Sequence, residues 1–92
     1  MGLPTPSFSV ETMEQIRRFV AETFLFEEDA VLDPQESLLD AGVLDSMGVM
    51  ELVAFLEEEF DIVLRDEDLV RENLDTLTGI ASLVERRRPG AG

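Results

Sequence analysis

Apolar residues recur at intervals of three and four positions near the beginning of the chain, with polar residues between them. This spacing places them on one side of a helix and predicts an amphipathic helix that fades near residue 26. Ser9 can cap its first turn, where Glu11 suits the positive end of the helix dipole. The apolar positions of this predicted helix are Val10, Met13, Ile16, Val20 and Phe24.

A long segment without helical periodicity follows, from residue 27 to residue 45. Loops of this length in compact domains are usually functional or are packed by their own side chains. Pro34 and Gly42 interrupt the segment, and we predict an ordered loop that folds back over the helices. Its predicted apolar anchors are Val31, Leu32, Leu38, Leu39, Val43 and Leu44.

A second helix is predicted to begin at Asp45 or Ser46 and to end near Phe60. One apolar stripe along it is assigned to the core, and the glutamates at 57 to 59 are assigned to solvent. A neighbouring stripe rich in methionine suits adaptable contacts with partner proteins, and simple packing under the long loop is the alternative. The core stripe is Leu52, Val53, Leu56 and Phe60, and the neighbouring stripe is Met47, Met50 and Ala54.

Two further helices are predicted after the second. Residues 66 to 72 predict a short third helix held by Leu69 and Val70, and Asp75 or Thr76 can cap a fourth helix. The arginines at 86 to 88 would lie at the end of that helix, where the dipole favours cations. The inward-facing residues of the fourth helix are predicted to be Leu77, Ile80, Ala81 and Val84.

No segment shows the alternation typical of a β-strand, and no internal repeat is present. The pattern as a whole predicts an all-α fold, a four-helix bundle with a long first loop and a short third helix. Ninety-two residues are enough for one domain with one modest core. We expect that domain to comprise residues 9 to 88, between a flexible lead-in at 1 to 8 and a flexible tail at 89 to 92.

Composition excludes several classes of protein. The chain has no cysteine, which rules out a disulfide framework and a thiolate metal site. No run of about 18 apolar residues predicts a membrane span, and residues 1 to 9 lack the basic and apolar regions of a signal peptide. These features favour the cytoplasm. The acidic run at 66 to 68 lacks the glycine spacing of a calcium loop, so no metal site is predicted.

The charge is strongly acidic, with 21 aspartates and glutamates against seven arginines and a net charge of −14. Such a surface repels nucleic acid and anionic membranes, and it attracts basic patches on other proteins. The alternative is that the acidity only keeps a small monomeric protein soluble.

Ser46 is the candidate for chemistry. A serine at a helix N-terminus lies beside unpaired backbone amides and the positive end of the dipole, which would stabilise a phosphate attached there. Asp45 can cap the helix, or hold a metal ion that a modifying enzyme needs. The chain has no histidine, cysteine or lysine that could activate the serine, so we expect no enzymatic activity and a modification made by another enzyme. The alternative is that Ser46 is only part of a helix cap.

The segment "LLDAGVLDSMGVMELVAFLEEEFDI", with its D-S-M centre, resembles the acyl and peptidyl carrier proteins that bear phosphopantetheine. The similarity extends over residues 10 to 86 and includes the closing "DTLTGIASLV". It implies that a phosphopantetheinyl transferase, using coenzyme A and magnesium, attaches 4'-phosphopantetheine to the hydroxyl of Ser46. The terminal thiol of that arm would then hold cargo as a thioester.

The resemblance also implies which surface meets partner enzymes. These would be acyl- or aminoacyl-loading enzymes and downstream synthases, which would approach with basic docking patches. The corresponding partner-binding residues are Met47, Met50, Glu51, Ala54, Glu57 and Glu58.

Two positions depart from the pattern of fatty-acid carriers, namely Met47 and Gly48. Gly48 could permit close approach of a partner, or could be a tolerated glycine near a helix end. The "LDSMG" form is more similar to specialised carriers of aminoacyl, D-alanyl, alkoxymalonyl or glyceryl groups. We therefore expect a free-standing carrier in a specialised pathway of the polyketide or nonribosomal-peptide type. An unmodified acidic docking module is the alternative.

Overall fold

The computed structural model describes residues 10 to 88. Four α-helices lie in this part of the chain, with one short 3-10 turn at Asp66–Asp68: α1 (Val10–Phe24), α2 (Ser46–Phe60), α3 (Arg71–Leu74) and α4 (Leu77–Arg87). No strand occurs among the described residues, so the predicted all-α bundle with a short third helix is confirmed. The predicted cap Ser9, the lead-in at 1 to 8 and the tail at 89 to 92 fall outside the described residues.

The core lies between α1, α2 and α4 and is closed by the long loop. The predicted inward residues of α2 and α4 are buried, and so are Ile16 and Val20 of α1. Leu56 has no exposed surface, and a side chain of this size contributes about 1.5–3 kcal/mol when fully buried. Leu83 also belongs to this core although the sequence pattern did not select it. Val10 was predicted to face inward but is 82% exposed, because it lies at the first residue of α1 beyond the edge of the core.

Helices α1 and α2 run antiparallel. The end of α1 contacts the beginning of α2. The contact is so close that a Cβ on Gly48 would lie only 3.0 Å from Cε1 of Phe24. Further along, the rings of Phe19 and Phe55 stack with centroids 4.0 Å apart. Helix α2 ends at Phe60, as the sequence predicted, and Asp61 closes it in the left-handed conformation with its N–H bonded to the carbonyl of Glu57.

The long loop from residue 25 to residue 45 is ordered, as predicted, and its ordering depends on α1 and Asp75. Arg17 donates to the carbonyl oxygens of Glu28 and Ala30 at 3.1 and 2.8 Å. Leu38 and Leu44 are buried and three other predicted anchors are partly buried, namely Leu32, Leu39 and Val43. Val31 was also predicted as an anchor but is 95% exposed. It directly follows Ala30, whose carbonyl oxygen is bound by Arg17, and the side chain of Val31 lies in solvent at the bend formed there.

A buried carboxylate joins the loop to the α3–α4 junction. Asp75 accepts hydrogen bonds from the hydroxyl of Ser37 at 2.6 Å, the N–H of Leu39 at 2.9 Å and Nε of Arg71 at 3.1 Å. Arg71 also pairs with Asp40 at 2.7 Å. Burial acts to raise the pKa of Asp75, but these three hydrogen bonds outweigh it and the pKa is lowered. Asp75 therefore fastens the loop, whereas Thr76 is the residue that caps α4.

The predicted third helix over residues 66 to 72 is wrong in its extent. The carboxylate of Asp68 accepts from the N–H of Arg65 at 3.0 Å, which favours a tight turn, and Leu69 then leaves the helical conformation. Leu69 and Val70 were predicted to hold this region, but both are exposed. Leu74 is buried in their place and anchors α3. The buried Asp68 pairs with Arg87 at 2.6 Å, and this hydrogen bond is the main cause of its lowered pKa.

Candidate functional site at the start of helix α2

The N-terminus of α2 is shaped by the residue that precedes it. Asp45 has an extended backbone, and its carboxylate accepts a hydrogen bond from the N–H of Gly48 at 2.7 Å. This is the geometry of an N-cap, and it leaves other first-turn amides directed out of the helix end. Ser46 is the first helical residue and is exposed. Its hydroxyl therefore lies in solvent beside the positive end of a 15-residue helix.

The loop delivers this helix start to the surface in one position. Leu44 is buried next to Asp45, and its N–H and that of Val43 both bond to the carbonyl of Leu38 at 3.1 and 2.9 Å. Gly42 has φ +78°, a conformation that favours glycine, and it lets the chain turn just before these residues. Ser46 is thus exposed while the residues immediately before it are held by the core.

Gly48 is buried under this turn, and the structure gives it a specific role. A Cβ at this position would meet Phe24, the Asp45 carboxylate and Leu44 at 3.0 to 3.3 Å. The glycine therefore allows α2 to pack closely on the end of α1. The close approach seen in the structure is internal, between α2 and the end of α1. Close approach of a partner at Gly48 stays a prediction.

The predicted partner residues occupy one exposed side of α2, with one exception. Met47 and Met50 are 76% and 64% exposed, so the alternative of packing under the loop is excluded for both. Glu51, Ala54 and Glu58 are exposed as well. We refer to Met47, Met50, Glu51, Ala54 and Glu58 as the methionine face.

Glu57 is the exception. It is only partly exposed, and its carboxylate accepts a hydrogen bond from the N–H of Leu64 at 2.9 Å. The side chain therefore orders the segment after α2, which the sequence pattern did not indicate. Its suggested role in partner binding has less support than that of Glu51 or Glu58.

Attachment of a phosphodiester at Ser46 fits this arrangement. The hydroxyl is accessible, the nearby helix end favours a negative group, and the capping carboxylate of Asp45 is occupied by the Gly48 N–H. Among residues 10 to 88, no three acidic side chains are grouped so as to hold a metal ion.

Comparison with known proteins decides between the remaining interpretations. Residues 14 to 85 match the family described as "Phosphopantetheine attachment site". The chain belongs to this family of carrier proteins. Such a carrier bears a covalently attached 4'-phosphopantetheine and is not itself an enzyme, which the sequence also predicted. The interpretation as an unmodified docking module is therefore wrong.

Two relatives of the carrier align with it over most of its length, and each alignment also covers most of the relative. A D-alanyl carrier protein from Streptococcus suis (strain 05ZYH33) is 37% identical over 73 residues, which is 79% of this chain and 90% of the relative. A D-alanyl carrier protein from Streptococcus pyogenes serotype M5 (strain Manfredo) is 42% identical over 72 residues, covering 76% of this chain and 91% of the relative. No helix within residues 10 to 88 is long and apolar enough to cross a membrane.

Proposed function

We propose that this carrier is free-standing and holds thioester-bound intermediates on a 4'-phosphopantetheine arm attached to Ser46. The observation that carries the proposal is the exposed hydroxyl of Ser46 at the first position of α2, with Asp45 capping the helix behind it. The arm supplies a thiol, which a chain without cysteine lacks. What the chain supplies is an accessible hydroxyl whose surroundings are already ordered.

The attachment is tested by the mass of the intact protein. The apo protein is incubated with coenzyme A, magnesium and a phosphopantetheinyl transferase of broad specificity, and a parallel sample lacks coenzyme A. The complete mixture should shift the whole population by the mass of one phosphopantetheine group. A population that stays unshifted under conditions that fully modify a known carrier would refute the proposal.

We propose an aminoacyl group as the cargo. The support is the pair of D-alanyl carrier proteins that share 37% and 42% identity with this chain over most of its length. A polyketide or nonribosomal-peptide type of pathway, expected from the "LDSMG" segment, remains the proposed setting. Mass spectrometry of the protein isolated from its own cells tests the cargo, because an aminoacyl thioester adds a defined mass that hydroxylamine removes. Recovery of only fatty acyl groups would contradict an aminoacyl cargo.

We propose the methionine face as the contact surface for the transferase and for the loading enzymes. Two exposed methionines adapt to differently shaped partners, and Glu51 and Glu58 provide charge for a basic patch. Replacing Met50 by alanine in the apo protein should lower the rate of arm transfer without changing helix content. An unchanged rate for every partner tested would remove Met50 from the surface.

A further inference from the structure

A pair of phenylalanine rings forms the floor of an open groove between α1 and α2. The rings of Phe19 and Phe55 are 4.0 Å apart and tilted by only 10°, so they stack face to face. Phe24 and Phe60 contact this pair edge-on at 5.9 and 6.1 Å and restrict its movement. Both central rings are only half-buried and line the groove. A rigid apolar floor of this kind loses little conformational freedom when another chain binds to it.

The rim of the groove is acidic. Glu14 pairs with Arg17 at 2.6 Å, but the other rim glutamates form no ion pair with any residue between 10 and 88. Arg18 is the one cation lining the groove within that part of the chain. The glutamates of the rim are Glu11, Glu14, Glu22 and Glu59, and Glu51 and Glu58 continue the negative surface along α2.

The groove lies on a different side of α2 from Ser46. Phe55 lies nine positions after Ser46, which at about 3.6 residues per turn places the two side chains about 180° apart around the helix. Ser46 is exposed on one side, and Phe55 lies against α1 on the other. A molecule seated in the groove would therefore leave the Ser46 hydroxyl accessible.

We propose that this groove is a second docking surface, and that it binds a basic amphipathic segment of a partner protein. Apolar side chains of that segment would pack on Phe19 and Phe55, and its arginines or lysines would meet Glu22 and Glu59. An arginine suits this surface best, because its guanidinium can stack on an aromatic ring and bond a carboxylate at once. A second copy of this chain is a poor occupant, since each copy has a net charge of −14.

The consequence is that one protein can hold the carrier through α1 and α2 while another acts at Ser46. This inference does not rest on the proposed arm, because the groove contains no part of the attachment site. The Ser46→Ala variant should bind a groove ligand as tightly as the natural protein. Failure of the arm assignment and failure of this inference are therefore distinguishable.

The test uses the apo protein and a fluorescein-labelled synthetic peptide that forms a helix with arginines on one side and leucines on the other. Binding is measured by fluorescence anisotropy. Reversing two rim charges, with Glu22→Arg and Glu59→Arg, should weaken binding at least about tenfold, since juxtaposed like charges oppose association. The matched control, Glu36→Arg with Glu72→Arg, makes the same change in net charge at exposed positions outside the groove. It should weaken binding much less.

The position of the peptide is checked by amide chemical shifts. Perturbations should centre on Phe19, Glu22, Phe55 and Glu59, with Met47 and Met50 little affected. Equal weakening by both pairs of substitutions, or perturbations centred on the methionines, would overturn the proposal. Binding seen only after deletion of residues 1 to 8 would also overturn it, by showing that the chain's own segment is the occupant. A dimer in sedimentation that Glu22→Arg with Glu59→Arg abolishes would assign the groove to a second copy.

Discussion

Two helices of the carrier begin in the same way and have different uses. Helix α2 starts with Asp45, Ser46, Met47 and Gly48, and α4 starts with Thr76, Leu77, Thr78 and Gly79. In each, an oxygen of the capping side chain accepts from the N–H of the glycine three residues later, at 2.7 Å in α2 and 2.9 Å in α4. Both helix ends therefore offer the same partial positive charge to a phosphate.

The difference lies in what surrounds the first helical residue. Ser46 is exposed at the surface, whereas Leu77 in the equivalent place is 1% exposed and belongs to the core. The residue before the α4 cap is the buried Asp75, which binds the long loop. A capped helix start is thus common to both, and accessibility of its first side chain distinguishes a candidate attachment site from a structural one.

The largest expected effect is on modification. Ser46→Ala should abolish incorporation of phosphopantetheine, because the hydroxyl that would be esterified is gone. The matched control is Thr78→Ala, which removes a hydroxyl from the first turn of α4 and should leave full incorporation. Intact mass after treatment with coenzyme A and the transferase measures both. A variant lacking Ser46 that still gains one arm would show that the two helix starts had been assigned wrongly.

The effect on stability should be large at the first residue of α4 and small at the first residue of α2. Leu77→Ala removes a buried side chain and should cost about 2–5 kcal/mol of the free energy of unfolding, while Ser46→Ala should cost well under 1 kcal/mol. Leu56→Ala and Met50→Ala form the same contrast within α2, since Leu56 is fully buried and Met50 is 64% exposed. Urea denaturation of the four variants gives the comparison. Similar losses within either pair would mean that the exposed and buried positions are confused.

The two glycines should also differ. A Cβ at Gly79 would lie 2.9 Å from the backbone oxygen of Glu72, whereas at Gly48 the nearest atom, at 3.0 Å, is in the side chain of Phe24. A phenylalanine ring can move aside more readily than a backbone oxygen. Alanine in place of glycine also stabilises a helix by up to about 1 kcal/mol. We expect Gly79→Ala to destabilise by about 1–3 kcal/mol and Gly48→Ala to have a smaller effect. Thermal melting of both variants decides the order, and a larger loss at Gly48 would contradict it.

Acid should lower the stability that Asp75, the residue before the α4 cap, provides. The pKa of Asp75 is lowered in the folded state, so its contribution to stability is complete above the ordinary carboxyl pKa of about 4. That contribution is lost as the pH falls through the lowered folded-state value. Asp75→Asn should therefore have a flatter dependence of unfolding free energy on pH below about 4 than the natural protein.

Ser37→Ala provides an intermediate case for this measurement, because it removes one of the hydrogen bonds that lower the pKa of Asp75 but keeps the carboxylate. Its pH dependence should lie between that of the natural protein and that of Asp75→Asn. The free energies are obtained by urea denaturation at several acidic pH values. Identical slopes for the natural protein and Asp75→Asn would show that titration of this carboxylate does not affect folding.

The smallest expected effect concerns the acids near Ser46. Reversing Glu51 and Glu58 to arginine should slow arm transfer several-fold at low salt, because rim charges act mainly on association rates. Glu57 is left unchanged in this test, since its carboxylate holds the N–H of Leu64. The effect should fade at 1 M salt, where the screening length falls to about 3 Å. Transfer rates that respond to neither charge nor salt would leave the methionines as the working contacts of this face.

Local pattern alone determined most of the architecture. The spacing of apolar residues predicted α1, α2 and α4 and most of the core, because a helix with a buried side must repeat every 3.6 residues. The D-S-M segment predicted the start of α2 at Asp45 and Ser46, since capping depends on residues close in sequence. The family and its cofactor followed from the same segment.

Contacts between distant segments determine which loop residues are buried and where the short third helix begins and ends. Val31 and Leu32 are adjacent and both apolar, yet Val31 is 95% exposed while Leu32 packs against the core. They follow a bend whose carbonyls are bound by Arg17, a residue of α1. The roles of Gly48 and Asp75 depend on contacts with residues distant in sequence. The role of Glu57 depends on the turn after α2, which the spacing of apolar residues does not indicate. The stacking of Phe19 on Phe55 likewise arises only when two antiparallel helices meet. Such contacts join residues far apart in the chain, and a local pattern contains no information about which distant side chain will be the neighbour.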